Sequence, residues 1–409
     1  MSLRHWIRPP RLWPADSHSS GRRVTWLELF FDLIFVAAVA QVDAPLASDY
    51  SFVGVARFLA FFLLIWWAWT GHTLYSTRFD TDDLVQRSLT LVQMFAVAAM
   101  AANARDAFDS RSSAGFGAAY AAMRFILVVQ YLRACRVAES RRLACHHAAG
   151  FGVAALLWLA SALIPAPGRY WLWGLALVVD LGTPWLAVQH TRRFPPDAAH
   201  LPERFGLFTI ILLGESVVAV MHGMESQETW PLAAAISAFQ GMGIAFCIWW
   251  AYFDGAAGAT SRFIRSTQDS VRFHVWTYAH LPLYLGIAIM GVGVKHVISL
   301  APGSHLEPSE VWILCTAVAL VIAALASIAG SADGAQERRD FGGYLLRQYL
   351  LAASALAVAP AGSYVPPVVL VSILTSLCVL QVVASVSGAK EPEPQQKSID
   401  EVPEFGVEP

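Results

Sequence analysis

Glu28 and Asp32 stand four residues apart inside the apolar run Trp26-Leu27-Glu28-Leu29-Phe30-Phe31-Asp32-Leu33-Ile34-Phe35. On a helix that spacing puts both carboxylates on one face, about 6 Å apart along the axis. A charge at the centre of a membrane helix costs roughly 2.5 to 3.5 kcal/mol on insertion scales, so two so close together require a buried partner or a function.

A second acidic feature lies in the seventh apolar stretch, where Glu203 and Arg204 open the run and Gly214-Glu215-Ser216 follows. Glu203 and Glu215 are about 18 Å apart along such a helix. Gly206 and Gly214 would let a neighbouring helix or a solute approach the backbone. Asp180 precedes Gly182 and Pro184 in the sixth stretch. That grouping can break a helix and free backbone carbonyls, as in transporter sites. Arg124 lies deep in the fourth stretch, where its guanidinium can pair with Asp32, Glu215 or Asp180.

Against those three acids the sequence offers Arg124 as the deep cation, so at least one acid is expected to lack a full partner. Asp32, Glu215 and Asp180 are therefore the candidate proton- or ion-coupling groups, with Arg124 as charge partner. Glu28 and Glu203 read as interfacial carboxylates favoured by the positive end of the helix dipole. His72, His280 and Gln93 add polar groups near span ends. Ser216 with His222 six residues on invites an enzyme reading, but no G-x-S-x-G elbow surrounds the serine, and no catalytic residue is assigned.

The elements that position these residues follow from composition. Of 409 residues, 56% are hydrophobic and 14% charged, against about 25% charged in soluble domains. The mean hydropathy of +0.50 agrees. The fold class expected is all-α: a polytopic transmembrane helix bundle in a lipid bilayer. A formal net charge of -2 leaves no basic footprint for nucleic acid.

Twelve spanning stretches are expected, at about 25–46, 52–73, 85–103, 114–132, 144–164, 170–190, 203–222, 230–253, 273–296, 309–330, 343–361 and 365–387. Of the 28 Lys and Arg, those outside the expected cytoplasmic segments are Arg57, Arg105, Arg111, Arg124, Arg169 and Lys295. The positive-inside rule then places both termini in the cytoplasm of a bacterium, in its inner membrane. Charges inside the first run argue against a cleaved signal. The parts are a basic cytoplasmic segment over 1–24, six helices over 25–190, six more over 203–387, and a polar, disordered cytoplasmic tail over 388–409.

Cys135, Cys145, Cys247, Cys315 and Cys378 show no CxxC spacing and read as reduced, space-filling residues. His146 and His147 read as interfacial, and no metal or other cofactor is expected.

An internal echo suggests two parallel six-helix repeats. Phe62-Leu63-Leu64-Ile65-Trp66-Trp67-Ala68-Trp69 returns about 183 residues later as Phe246-Cys247-Ile248-Trp249-Trp250-Ala251-Tyr252. Ser76-Thr77-Arg78-Phe79 and Asp83-Leu84-Val85 match Ser261-Arg262-Phe263 and Asp269-Ser270-Val271. Arg22 and Arg23 match Arg192 and Arg193, and Glu28 matches Glu203. A 6+6 arrangement about an axis along the membrane normal is transporter-like.

The stretch Glu28-Leu29-Phe30-Phe31-Asp32-Leu33-Ile34-Phe35-Val36, with Glu203-Arg204-Phe205-Gly206-Leu207-Phe208-Thr209-Ile210 and Leu213-Gly214-Glu215-Ser216, resembles the bacterial low temperature requirement A family of membrane proteins. The resemblance runs from about Arg22 to Ser387 and takes in Trp-Trp-Ala-Tyr-Phe-Asp at 249–254 and the His280-Leu281-Pro282 turn. It implies the multi-pass topology; the family's name records a need for growth in the cold and implies no substrate or reaction. The function expected from the residues is movement of a small solute or ion, with the buried carboxylates as coupling groups. A scaffold acting through lipids or partner proteins is the alternative, and a membrane-embedded lipid enzyme ranks below both.

Overall fold

The computed structural model describes residues 8–13, 24–104, 110–187, 193–227, 229–256, 260, 262, 264, 266–301, 303–332 and 341–386. Most of the basic amino-terminal segment, the 388–409 tail, Arg22, Arg23, Arg192, Ser261 and Phe263 lie outside the described residues.

Apolar runs of spanning length become helices because a backbone in hydrocarbon must satisfy its own hydrogen bonds. The described residues form α1 (Trp26–Leu46), α2 (Phe52–Ser76), α3 (Leu84–Ala104), α4 (Ser110–Ala134), α5 (Arg141–Leu163), α6 (Gly168–Leu186), α7 (His200–Glu225), α8 (Leu232–Trp250), α9 (Thr267–Ser299), α10 (Pro308–Gly330), α11 (Phe341–Gly362) and α12 (Pro367–Val386). Two short extended pieces, β1 (Arg11–Leu12) and β2 (Phe79–Asp80), pair antiparallel and tie the amino-terminal chain to the end of α2.

Helix starts are written in the sequence. Thr25 and Glu28 form a capping box on α1, and Ser266 and Asp269 form another on α9. Each supplies side-chain acceptors to amides with no partner inside the helix. Asp269, matched above to Asp83 as a repeat signal, is thus a capping residue.

Among the described residues, eleven of the twelve helices are long and apolar enough to cross a membrane. The twelfth helix, α6, falls below that hydropathy because Arg169, Asp180 and Pro184 lie within its 19 residues. The helix is also continuous through Gly182 and Pro184, so the expected break does not occur. It packs on α5 and turns Trp171, Leu175, Val178 and Trp185 outward.

In the first group of helices α1 packs on α2 and α3, α3 on α4, α4 on α5 and α5 on α6. In the second, α7 packs on α8 and α9, α9 on α10, α10 on α11 and α11 on α12, which also packs on α8. The two groups meet where α1 lies against α7 and α9, and where α2 touches α7 and α9. Helix α9 is the central post: its 33 residues span about 50 Å, and 72% of its apolar window is buried. Pro282 sits inside this helix, so the expected His280-Leu281-Pro282 turn is a helical segment. Large apolar side chains such as Phe95, Leu156, Phe239 and Leu350 stay exposed on outer faces, as contact with lipid requires.

The Trp-Trp echo occupies unlike surroundings. Trp66 and Trp67 are buried, whereas Trp249 and Trp250 are part-exposed and lead into a π-helical turn at Ala251–Gly255. Cys135 and Cys145 form a disulfide across the short α4–α5 connection, with Cα atoms 5.5 Å apart. The turn over 135–140 brings Cys135 back onto Cys145 in the second turn of α5, which corrects the reading of five reduced cysteines; Cys247, Cys315 and Cys378 are free and buried. His147 is buried and stacks on Tyr131 with ring centroids 5.0 Å apart.

Candidate functional site

One polar stripe runs along the contact of α1 with α7. Glu28 faces His200 (Oε1–Nε2 3.2 Å) and Asp32 faces Arg204, both pairs separated by 172 residues in the chain. A constant offset means that the two helices run parallel and in register. Eleven residues are about three turns, or roughly 16 Å, and return to nearly the same face. Eleven beyond Asp32 is Asp43, and eleven beyond Arg204 is Glu215, so the register sets these two acids opposite each other. His222, seven residues past Glu215, continues the stripe.

The first end of the stripe is a buried ionic knot. Arg204 meets Asp32 with two parallel contacts, Nε–Oδ2 3.0 Å and Nη2–Oδ1 2.5 Å, while Nη1 lies 3.2 Å from Glu28 Oε1. Trp69 Nε1 donates to Asp32 Oδ1 at 2.7 Å. Arg204 and Asp32 are fully buried and Glu28 nearly so. The planar fork of arginine suits this two-carboxylate arrangement as a lysine would not. Thr25 holds the other Glu28 oxygen, its amide at 2.9 Å and its hydroxyl at 3.0 Å.

This geometry corrects three expectations. Arg204 is a second buried cation, Asp32 is paired with it, and Glu28, which shares it, is buried in the first turn of α1. Glu203 does lie near the surface, its side chain 44% exposed.

A second buried pair ties α4 to α6. Arg124 Nε is 2.8 Å from Asp180 Oδ2, and Tyr120 bridges them by accepting from Arg124 Nη2 at 2.8 Å and donating to Asp180 at 3.4 Å. Of the three partners open to Arg124 in sequence, Asp180 is the one that the fold supplies. Gly71 on α2 makes room, since a Cβ there would stand 2.7 Å from Arg124 Nη1.

At the far end of the stripe the helices part around a cavity of about 210 Å3. Asp43 and Ala40 line it from α1, Glu215, Ser216 and His222 from α7, and Gly291 and Lys295 from α9. Asp43 Oδ1 is buried without a hydrogen-bond partner. Neither Asp43, Glu215 nor Lys295 forms an ion pair among the described residues. Ser216 donates back to the Leu213 carbonyl at 2.7 Å. Gly291 lets α9 close on α7, where a Cβ would meet Ser216 Cα at 3.2 Å. Gly214 faces outward with open space beside it, so it does not serve the close approach read from the sequence.

Between knot and cavity lies an aromatic layer. The Trp69 ring stands 4.8 Å from Phe205 and 4.4 Å from Phe208, and Tyr284 donates to the Phe205 carbonyl at 2.9 Å. His72 is buried against Phe31, and His280 is buried and hydrogen-bonds Tyr252 at 2.9 Å. The fold thus brings Glu28, Asp32 and Arg204 together, joins Asp180 to Arg124, and puts Glu215 and Ser216 at a separate cavity. Sequence reasoning missed Asp43, Lys295 and His200 as site residues; the repeated offset of 172 was the signal that would have found Asp43 and His200.

Two comparisons bear on identity. A protein of Rhizobium meliloti (strain 1021) described as uncharacterized is 28% identical over 305 residues, covering 71% of each chain. The model of the family described as bacterial low temperature requirement A protein (LtrA) matches residues 23–384, a stretch that contains every helix of the stripe. The chain belongs to the bacterial low temperature requirement A protein (LtrA) family.

Proposed function

We propose that this protein moves a small solute or ion across the bacterial inner membrane, with Glu215 and Asp43 as the carboxylates that exchange a proton or cation. The observation that carries the reading is the asymmetry of the stripe. One end is closed by fully paired charges and an aromatic layer, and the other opens on a cavity whose acids are unpaired. Buried unpaired carboxylates are costly in a membrane protein, and they mark ion and proton pathways.

In this reading the Asp32–Arg204–Glu28 knot is the closed gate, and Asp180–Arg124 holds the α4–α6 wall. Access from the closed side requires α1 and α7 to separate, which breaks the knot. The two six-helix groups are the moving parts, and the matched order of packing from α1 to α6 and from α7 to α12 supports the 6+6 repeat. Both termini lie in the cytoplasm. Catalysis is no part of this reading.

Liposomes holding the purified protein and a pH-sensitive dye test it. Solute-dependent proton movement that Glu215→Gln abolishes is the expected result; flux equal to the wild type in Glu215→Gln and in Asp43→Asn overturns it. The pairing of Asp32 with Arg204 and of Asp180 with Arg124 favours one other reading, a scaffold whose ion pairs tie helices. It expects no flux with any solute and partner proteins that copurify.

A further inference from the structure

The cavity between α1, α7 and α9 has a charge balance that specifies its ligand. Asp43 and Glu215 face each other across it, and Lys295 enters from α9. The imidazole of His222 completes the polar lining, and two carboxylates against one ammonium leave one negative charge. Outside the lining, His296 Nε2 lies 2.9 Å from Glu310 Oε1, with Tyr50 against the His296 ring. One carboxylate balances Lys295; the other is left for a monocation or a proton.

Size and lining choose among cations. No group of three His, Cys, Asp or Glu side chains among the described residues is placed to hold a metal ion. Apart from Ser216, whose hydroxyl donates to the Leu213 carbonyl, the remaining walls are apolar, with Ala44, Leu212, Ala219 and Val292 among them. At about 210 Å3 the cavity exceeds the roughly 150 Å3 that accommodates benzene. A bare alkali ion would leave most of that space empty and its apolar walls without contact. A small alkyl or aryl group bearing an ammonium would fill it.

From this we infer that the cavity binds a small organic ammonium ion between Asp43 and Glu215, in exchange for one proton held by that carboxylate pair. The exchange balances: a carboxylic acid and an ammonium ion give a carboxylate–ammonium pair and a proton released to water. The inference rests on the reading of this cavity as the solute site, and it names the solute's class.

Binding, measured without transport, separates the two. The full-length protein in lipid nanodiscs is titrated calorimetrically with propylammonium, propionate, alanine and sodium chloride, each in two buffers of unlike ionisation enthalpy. Propylammonium is expected to bind saturably with proton release approaching one per amine, and the other three to bind far more weakly. Asp43→Asn and Glu215→Gln each weaken propylammonium binding by roughly thirtyfold or more, as loss of one partner of a desolvated charge pair does. Lys295→Gln acts the other way, strengthening it about tenfold by removing a like charge. That gain separates an electrostatic site from a variant that has merely lost its fold.

Preferential binding of propionate overturns the inference, as do alanine bound more tightly than propylammonium, sodium bound equally well, no heat with any probe, or weaker binding in Lys295→Gln. Amine binding without flux in liposomes retains this inference and removes the transport reading. Flux of some solute with no amine binding does the reverse.

Discussion

Replacing Arg204 by methionine removes the guanidinium shared by two buried carboxylates while keeping most of the side chain's apolar length. Truncating one partner of a buried ion pair costs about 3 to 5 kcal/mol, because the charge left behind is desolvated and uncompensated. Here Asp32 loses both short contacts, at 3.0 and 2.5 Å, and Glu28 loses one at 3.2 Å, so the loss belongs near the upper figure. Asp32→Asn is milder, about 1 to 3 kcal/mol. The amide oxygen still accepts from Trp69, and Arg204 keeps Glu28. In the double variant Asp32→Asn/Arg204→Met one uncompensated charge is gone, so its loss of stability falls short of the sum of the singles by about 1 to 3 kcal/mol. Reversible unfolding in mixed micelles, followed by tryptophan fluorescence, reads all four proteins. An Arg204→Met variant within about 1 kcal/mol of the wild type, or strict additivity in the cycle, would refute the ionic knot.

Three further outcomes follow from the packing and the pairings. Gly71→Ala forces a methyl group against the Arg124 guanidinium and is expected to lower stability by about 1 to 3 kcal/mol in the same unfolding assay. Glu203→Ala, at a part-exposed carboxylate outside the knot, should stay within about 0.5 kcal/mol of the wild type by that measure. Thiol labelling of the denatured, unreduced protein should modify Cys247, Cys315 and Cys378 while sparing Cys135 and Cys145, and Cys135→Ser should expose Cys145 to the label; full labelling of all five in the wild type would contradict the pairing.

The helices were legible because hydrocarbon leaves a chain little choice. Runs of spanning length, Thr25 and Ser266 at helix starts, and Pro308 at the first turn of α10 all announce helices. What the sequence hid is which helix faces which. Arg204 stands in the first turns of α7 beside Glu203, and the positive-inside rule assigns it to the cytoplasmic surface with the other arginines. Burial of that arginine depends on α1 lying alongside, which no local pattern encodes. The spacing Glu28–Asp32 repeats as His200–Arg204, and Asp43 stands beyond Asp32 as Glu215 stands beyond Arg204. Those matches are visible in the chain, yet they become a register only once α1 and α7 are known to be parallel neighbours.

The Trp-Trp echo illustrates the converse. The dipeptide is the same in α2 and α8, but one copy is core and the other part-exposed, so a shared string did not mean a shared environment. Asp180-Gly182-Pro184 likewise reads as a helix break, whereas Arg124 and Tyr120 hold Asp180 inside a continuous α6. Composition was misleading for Cys135 and Cys145, whose pairing depends on a turn rather than on a motif.

Proton exchange is assigned to the acids of the cavity rather than to the acids of the knot. Its most direct test is proton movement into dye-loaded liposomes driven by a gradient of propylammonium, compared between the wild type and Glu215→Gln of equal thermal stability. Amine-dependent proton movement is expected in the wild type and its loss in Glu215→Gln; equal movement in both, or none in either, would contradict carboxylate-coupled exchange at this cavity.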